Sequence, residues 1–373
     1  MSTSADAAPA GAADSDPGAS VDAYAERMLG AALGWIDLMA AYLGDRLGWY
    51  RSLAEAGPAT ADELAARTGT APRYAREWLE QQAVSGILVL TPDDDGMPAS
   101  RRFSLPPGPA EALVDQGSLS YLAPLPRLFA AVGGQLPGLM DAYRTGGGVG
   151  WAQFGADARE AQADLNRPWF GELERVFAEV DPLRTVLTRP GARIADVGMG
   201  GGWSSIALAQ AYPGLTVDGF DVDEPSIRLA RANADEAGVA DRVAFHHADG
   251  DGLDRHGPFD AAFAFECVHD MPRPVDVLAA MRRAVRGGGP VVVMDEAVGE
   301  RLMAPGDDVE RLMYGFSLFC CLPDGLSHPQ SVGTGTVMRP DTLRGYARDA
   351  GFADVEILPI EDFSFFRFYL LTS

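Results

Sequence analysis

The chain contains no lysine: every one of its 30 Lys-or-Arg positions is arginine. That absence excludes a phosphate loop ending in Gly-Lys-Ser/Thr and any Schiff-base or pyridoxal chemistry on a lysine amine. Cysteine is scarce as well. There are 3 in 373 residues, two of them adjacent at 320 and 321, which makes neither a disulfide framework nor a spaced zinc set. No apolar run is long enough to cross a bilayer, and residues 1–20 lack the positive start and apolar centre of a signal peptide. The expectation is a cytoplasmic protein without a membrane partner, with a disordered tail over 1–20. Positive charge is short overall: 53 acids leave a net charge of −23, which repels nucleic acid and suits a cationic ligand.

What is present is organised around Ile194-Ala195-Asp196-Val197-Gly198-Met199-Gly200-Gly201-Gly202-Trp203-Ser204. Apolar residues lead to an acid, glycines follow at 198, 200 and 202, and a helical pattern starts at Ser204, so the stretch predicts strand, tight turn and helix. Such a turn lets a ligand approach the backbone closely. A dinucleotide fingerprint counted from Gly198 needs glycine at 203, where this chain has Trp203. Asp196 at the strand end favours a ligand with positive charge and no phosphate, such as S-adenosylmethionine with its ammonium and sulfonium.

Asp196-x-Gly198-x-Gly200-x-Gly202 resembles the first motif of class I S-adenosylmethionine-dependent methyltransferases. The resemblance implies that the loop underlies the methionine part of the cofactor and that Asp196 helps to hold its amino group. The later pattern agrees. Strands are predicted at 193–197, 215–221, 243–247, 259–265, 290–295, 353–359 and 365–372, alternating with helices, which is a Rossmann-like α/β sheet of seven strands over 181–373. Asp221, at the end of the second strand, is placed to accept both ribose hydroxyls. Asp249-Gly250 resembles the position that binds the adenine amino group. Phe265 and Glu266 end the fourth strand at the ligand edge of the sheet.

His269-Asp270 follows and resembles the His-Asp pair of caffeate-type O-methyltransferases, with Met271 in place of their tryptophan. By that resemblance His269 is the general base for an acceptor hydroxyl, with Asp295 or Glu296 as its partner. Simple in-line positioning of an N or C acceptor is the alternative. Residues 302–339 form a long insertion with a helix over 307–322. Trp151, Phe154, Trp169 and Phe170, with Met313, Tyr314, Phe316, Phe319 and Cys320, are candidates for an apolar acceptor wall, and His328 for a ligand contact. The adjacent Cys320 and Cys321 raise metal or arsenic binding, but one pair alone is weak, since free cysteine most often serves as a small apolar residue, and the expectation is no metal site.

Upstream, the pattern predicts a helix over 21–43 with a stripe of Met28, Ala32, Trp35, Ile36, Met39 and Leu43, then helices at 49–56, after Thr60-x-x-Glu63, and at 72–84. Short strands at 87–90 and 103–105 complete a winged helix-turn-helix over 21–107. A DNA-binding regulator is the rival function. The second helix mixes Arg73 and Arg76 with Glu77 and Glu80, and the wing carries Asp93-Asp94-Asp95, so the basic stripe of a groove reader is missing. The reading is a dimerisation module, with a homodimer through 21–43 and no nucleic-acid partner. A helical linker and cap over 108–180, with helices at 118–131 and 160–180, joins it to the catalytic part.

Overall fold

The structure, a computed structural model, describes residues 20–91 and 97–373. The expected tail and the Asp93-Asp94-Asp95 turn therefore lie outside the described residues, apart from Ser20. That serine starts the first helix, α1 (Val21–Arg46), its hydroxyl accepting from the Ala23 amide at 3.2 Å. Next come α2 (Trp49–Ala56), α3 (Ala61–Thr68) and α4 (Pro72–Val84). Thr60 and Glu63 cap α3 reciprocally, as their spacing implied. Strands β1 (Val89–Leu90) and β2 (Phe103–Ser104) pair antiparallel and are shorter than the sequence pattern suggested.

Trp49, Tyr50 and Trp78 form the centre of this part, with the Trp78 ring 4.8 Å from Trp49 and 5.0 Å from Tyr50. Gly44 of α1 makes room for them, since a Cβ there would sit 2.5 Å from both Trp78 and Tyr50. The first two-thirds of α1 have no such partner. Met28, Trp35 and Ile36 are 54%, 62% and 46% exposed, so the expected apolar stripe is present and uncovered in the single chain.

Six helices lead to the sheet: α5 (Pro107–Val114), α6 (Pro124–Gly134), α7 (Leu136–Thr145), α8 (Trp151–Phe170), α9 (Leu173–Phe177) and α10 (Asp181–Leu187). The helix expected at 118–131 begins only at Pro124, because proline at the first helical position starts a helix rather than continuing one. The helix expected at 160–180 begins earlier, a first turn from Trp151 being separated by a kink at Gly155 (φ +78°) from the main helix, and it is interrupted near Gly171. Phe154 is buried with Leu128, Val132 and Leu139 between α6, α7 and α8.

From residue 193 strands and helices alternate: β3 (Arg193–Val197), α11 (Trp203–Ala211), β4 (Thr216–Asp221), α12 (Glu224–Glu236), β5 (Val243–His247), β6 (Ala261–Phe265), α13 (Pro274–Ala284) and β7 (Val291–Glu296). Then follow α14 (Asp308–Phe316), a π-helical turn (Ser317–Cys321), α15 (Leu322–Ser327), α16 (Pro340–Asp349), β8 (Asp354–Ile357) and β9 (Phe366–Thr372). The strand order is β5-β4-β3-β6-β7-β9-β8, parallel except for β9, which runs antiparallel to β7 and β8. This is the expected seven-stranded α/β sheet. One core lies on each face, the first around Ile194, Phe263 and Phe368, the second around Val197, Ala262 and Val293. The chain reverses direction across the sheet between β3 and β6, and an open α/β sheet binds its ligand outside the strand ends at such a place.

Candidate functional site

A cavity of about 620 Å³ opens at that place, lined by the glycine loop, the ends of β4 and β6, one face of α8 and the π-helical turn. Gly198 has φ +71° and a Cβ there would meet the Cys267 sulfur at 2.7 Å, whereas a Cβ on Gly200, at φ +51°, would point into open space. Gly202 does not line the cavity. It packs beneath the loop, where a Cβ would lie 2.8 Å from both Ala230 and Phe245.

Asp196 lies behind the loop, fully buried, and also outside the cavity lining. Its Oδ2 accepts from the Ser204 and Ser205 hydroxyls at 2.6 Å each, while Oδ1 has no hydrogen-bond partner among the described residues. Burial pushes its carboxyl up to about 6, against the two serine hydroxyls and with help from the nearby Asp221 charge.

Asp221 lines the cavity and accepts from the amides of Gly200 at 2.9 Å and Asp223 at 2.8 Å. Asp223 is bound by Arg159 at 2.6 and 3.2 Å. Asp249 and Gly250 line the far end, and the Asp249 carboxylate accepts from the Asp251 amide at 3.1 Å. Phe265 and Glu266 close the end of β6. Glu266 has φ +51°, an uncommon conformation for a residue with a Cβ, and its carboxylate accepts from the Asn166 amide nitrogen. Burial pushes the Glu266 carboxyl up to about 7, opposed by the His269 imidazole and by Asn166.

His269 is 3% exposed and stands among three acids from two segments. Nδ1 is 2.8 Å from Asp295 Oδ1 and 3.2 Å from Glu296 Oε2, both at the end of β7, and Nε2 is 3.3 Å from Asp270 Oδ1. Burial opposes charge on the imidazole, but Asp270, Asp295 and Glu296 outweigh it and hold its pKa well above the usual histidine range. The three acids thus favour the protonated ring, and Nδ1, facing Asp295, is fixed as the donor side of the imidazole.

The acceptor wall differs in part from the expectation. Trp151, Phe170, Phe316 and Cys320 line the cavity, as does His328. Phe154 and Met313 are buried in the core, and Trp169 packs on Phe363 at 5.6 Å. Tyr314 and Phe319 face outward, 39% and 42% exposed, Tyr314 on α14 with its hydroxyl accepting from Arg339 at 3.3 Å and Phe319 within the π-helical turn. Arg159, Gln162, Asn166 and Trp203 line the cavity without having been singled out. The first three lie on one helical face, at a three- and four-residue spacing that also brings Ala163 and Phe170 to the cavity.

Open space above Gly200 and carboxylates at Asp221 and Asp249 fit a cationic nucleoside such as S-adenosylmethionine, whereas the expected direct contact from Asp196 is not seen, its carboxylate lying behind the loop.

Comparison with known proteins agrees. Residues 194–289 match the family described as a methyltransferase domain, and residues 34–114 match an Rv2258c-like winged HTH domain. The ubiquinone biosynthesis O-methyltransferase of Aromatoleum aromaticum is 31% identical over 214 residues, spanning 54% of this chain and 86% of the relative. Further curated relatives of that name are matched over 44–74% of their own length. In fold, the chain is similar to mitomycin 7-O-methyltransferase (TM-score 0.66, 21% identity, 94% of this chain and 98% of that one). It is also similar to human N-acetylserotonin methyltransferase, solved with S-adenosylmethionine (TM-score 0.64, 19% identity, 95% and 99%). With the sheet, the glycine loop and these relatives in agreement, the chain belongs to the S-adenosylmethionine-dependent methyltransferases and S-adenosylmethionine is its cofactor.

Proposed function

We propose that the enzyme transfers a methyl group to a hydroxyl of a small, mostly apolar acceptor of the natural-product type, and that His269 is where the acceptor oxygen is activated. The observation that carries this reading is that the glycine loop and His269 line the same cavity, whose remaining wall includes Leu128, Trp151, Phe170, Phe316 and Phe365. Relatives named for O-methylation support oxygen over nitrogen or carbon as the acceptor atom. Bound here, S-adenosylmethionine supplies a methyl group made electrophilic by the sulfonium. The chain's own part is to hold the cofactor with the backbone at Gly198 and Gly200 and the carboxylates of Asp221 and Asp249. The aromatic wall takes the acceptor out of water, and His269 fixes its reacting oxygen in line.

Two experiments test the reading. Calorimetry is expected to show binding of S-adenosylmethionine and of its demethylated product; binding of neither removes the assignment of the loop. Labelled cofactor incubated with extracts of the source organism is then expected to yield a labelled small molecule identifiable by mass. Label that enters only protein or nucleic acid rejects the acceptor class.

We further propose a homodimer through α1. Val21, Tyr24, Met28, Leu29, Leu33, Trp35 and Ile36 are all at least 46% exposed, a run that a solitary helix does not keep in water. Light scattering is expected to give a dimer for the wild type and a folded monomer for a Leu29→Glu, Trp35→Glu double variant. A wild-type monomer ends the proposal.

A further inference from the structure

All three cysteines of this cysteine-poor chain line the one cavity, and one of them completes a mixed donor set with the His269-Asp270 pair. His269 Nε2, an Asp270 carboxylate oxygen and Cys321 Sγ lie within 4.8 Å of one another, and no backbone segment contributes two of them except the adjacent 269 and 270. We propose that these three side chains bind a divalent zinc ion whose open fourth position faces the acceptor. The inference rests on the reading of His269 as the place where the acceptor oxygen is activated.

Geometry is the first support. Zinc bonds of about 2.0–2.2 Å to nitrogen and oxygen and 2.3 Å to sulfur set tetrahedral ligand atoms roughly 3.3–3.6 Å apart. Nε2 and Asp270 Oδ1 are 3.3 Å apart, a distance too long for a good hydrogen bond and right for one edge of such a tetrahedron. Asp270 Oδ1 is shielded from solvent and, beyond its long contact with the His269 ring, makes no well-formed hydrogen bond among the described residues, so a cation between the two would satisfy it better than the ring does.

The surroundings are those of a held ligand. The opposite ring nitrogen, Nδ1, is 2.8 Å from Asp295, itself fully buried, and a carboxylate behind a histidine fixes the tautomer that presents Nε2 to a metal. Backbone contacts anchor the segment that carries His269 and Asp270 to the loop after α15. The Gly335 amide donates to the His269 carbonyl at 3.2 Å, and the Val332 amide to that of Pro272 at 3.0 Å. Cys321 ends the single π-helical turn among the described residues, a distortion that often marks functional sites.

The donor types then select the ion. A mixed nitrogen, oxygen and sulfur set suits zinc better than magnesium or calcium, which take oxygen ligands. Three protein ligands leave a fourth position open, as in zinc sites that act on a bound hydroxyl rather than in structural ones. Asp295 and Glu296, both buried beside Nδ1, add negative charge that favours a cation at the site. In chemical terms the acceptor is then a heteroatom ligand, a hydroxyl or thiol, whose acidity the ion raises.

Cobalt(II) titration of the purified, chelator-stripped protein tests this, because cobalt replaces zinc in such sites and a thiolate ligand gives an intense near-ultraviolet charge-transfer band. The wild type should show that band at one equivalent, and added zinc should abolish it. Cys321→Ser should lose the band and Cys320→Ser keep it. Asp295→Asn, which leaves all three donors in place, should weaken cobalt binding about 10- to 100-fold. No band in the wild type, or a band that survives in Cys321→Ser, overturns the site. Calorimetry with the demethylated cofactor on the same samples keeps the two claims apart. If the cofactor product binds and cobalt does not, the metal fails alone, and if neither binds, the reading of the cavity fails with it.

Discussion

Replacing His269 with Gln is expected to lower kcat about 10²- to 10⁴-fold while leaving the affinity for the demethylated cofactor within a few-fold of wild type. Glutamine approximates the size of the imidazole but neither accepts a proton from the acceptor nor matches the imidazole as a ligand. The His269 side chain meets Asp270, Asp295 and Glu296 rather than the glycine loop, so cofactor binding has no direct reason to suffer. The loss should shrink for acceptors whose hydroxyl is more acidic, because they need less help to shed a proton. Steady-state kinetics with two acceptors of different hydroxyl pKa decide the matter. A fall of less than about tenfold that is independent of acceptor pKa would indicate catalysis by proximity alone, with the methyltransferase assignment intact.

The sheet was legible because its signals are local. Alternating strand and helix patterns, the Asp196–Gly202 motif and the acid at Asp221 each depend on a few neighbouring residues, and all seven strands fall within a few residues of their expected places. The Thr60-Glu63 cap was equally readable. The acceptor wall was not, because it is assembled by packing. Phe154 and Phe170 are both aromatic residues of α8, yet one is buried against α6 and the other opens on the cavity. The helix over 307–322 was expected as one regular element, so Tyr314 and Phe319 were placed inward. Instead α14 ends at Phe316 with Tyr314 on its outer face, and a π-helical turn of five residues, which nothing in composition announces, carries Phe319 outward as well. The charge state of His269 was hidden for a similar reason. Asp295 and Glu296 were named as alternative partners, but only the fold shows that both stand beside Nδ1 while Asp270 faces Nε2.

Asp196→Asn is expected to remove a pH dependence of stability that runs opposite to ordinary acid denaturation. In the folded protein the Asp196 carboxyl sits at about 6, against 3.8 for an unperturbed aspartate, because burial outweighs the two serine hydroxyls that stabilise its charge. A carboxyl raised by about two units binds its proton more tightly in the folded state than in the unfolded one. Its contribution therefore favours the folded state fully below pH 3.8 and is lost as pH rises through 6, a swing of about 3 kcal/mol at 1.36 kcal/mol per unit. Groups lowered on folding, among them Asp223 and Asp260, act in the other direction, so the signal is the difference between wild type and variant. Urea unfolding of both proteins without cofactor should show the stability of the wild type falling relative to the variant by about 2 kcal/mol between pH 4 and pH 7.5, the unfolded carboxyl being already partly ionised at pH 4. The expected functional counterpart is that a cationic cofactor favours the ionised form. In the wild type, affinity for the demethylated cofactor, whose ammonium remains, should drop as pH falls through 6. In the variant it should be weak and flat over the same range. Parallel stability curves for the two proteins would mean that the Asp196 carboxyl titrates in the folded protein where it does in the unfolded chain, and a variant that binds as tightly as wild type at pH 7.5 would remove Asp196 from cofactor recognition.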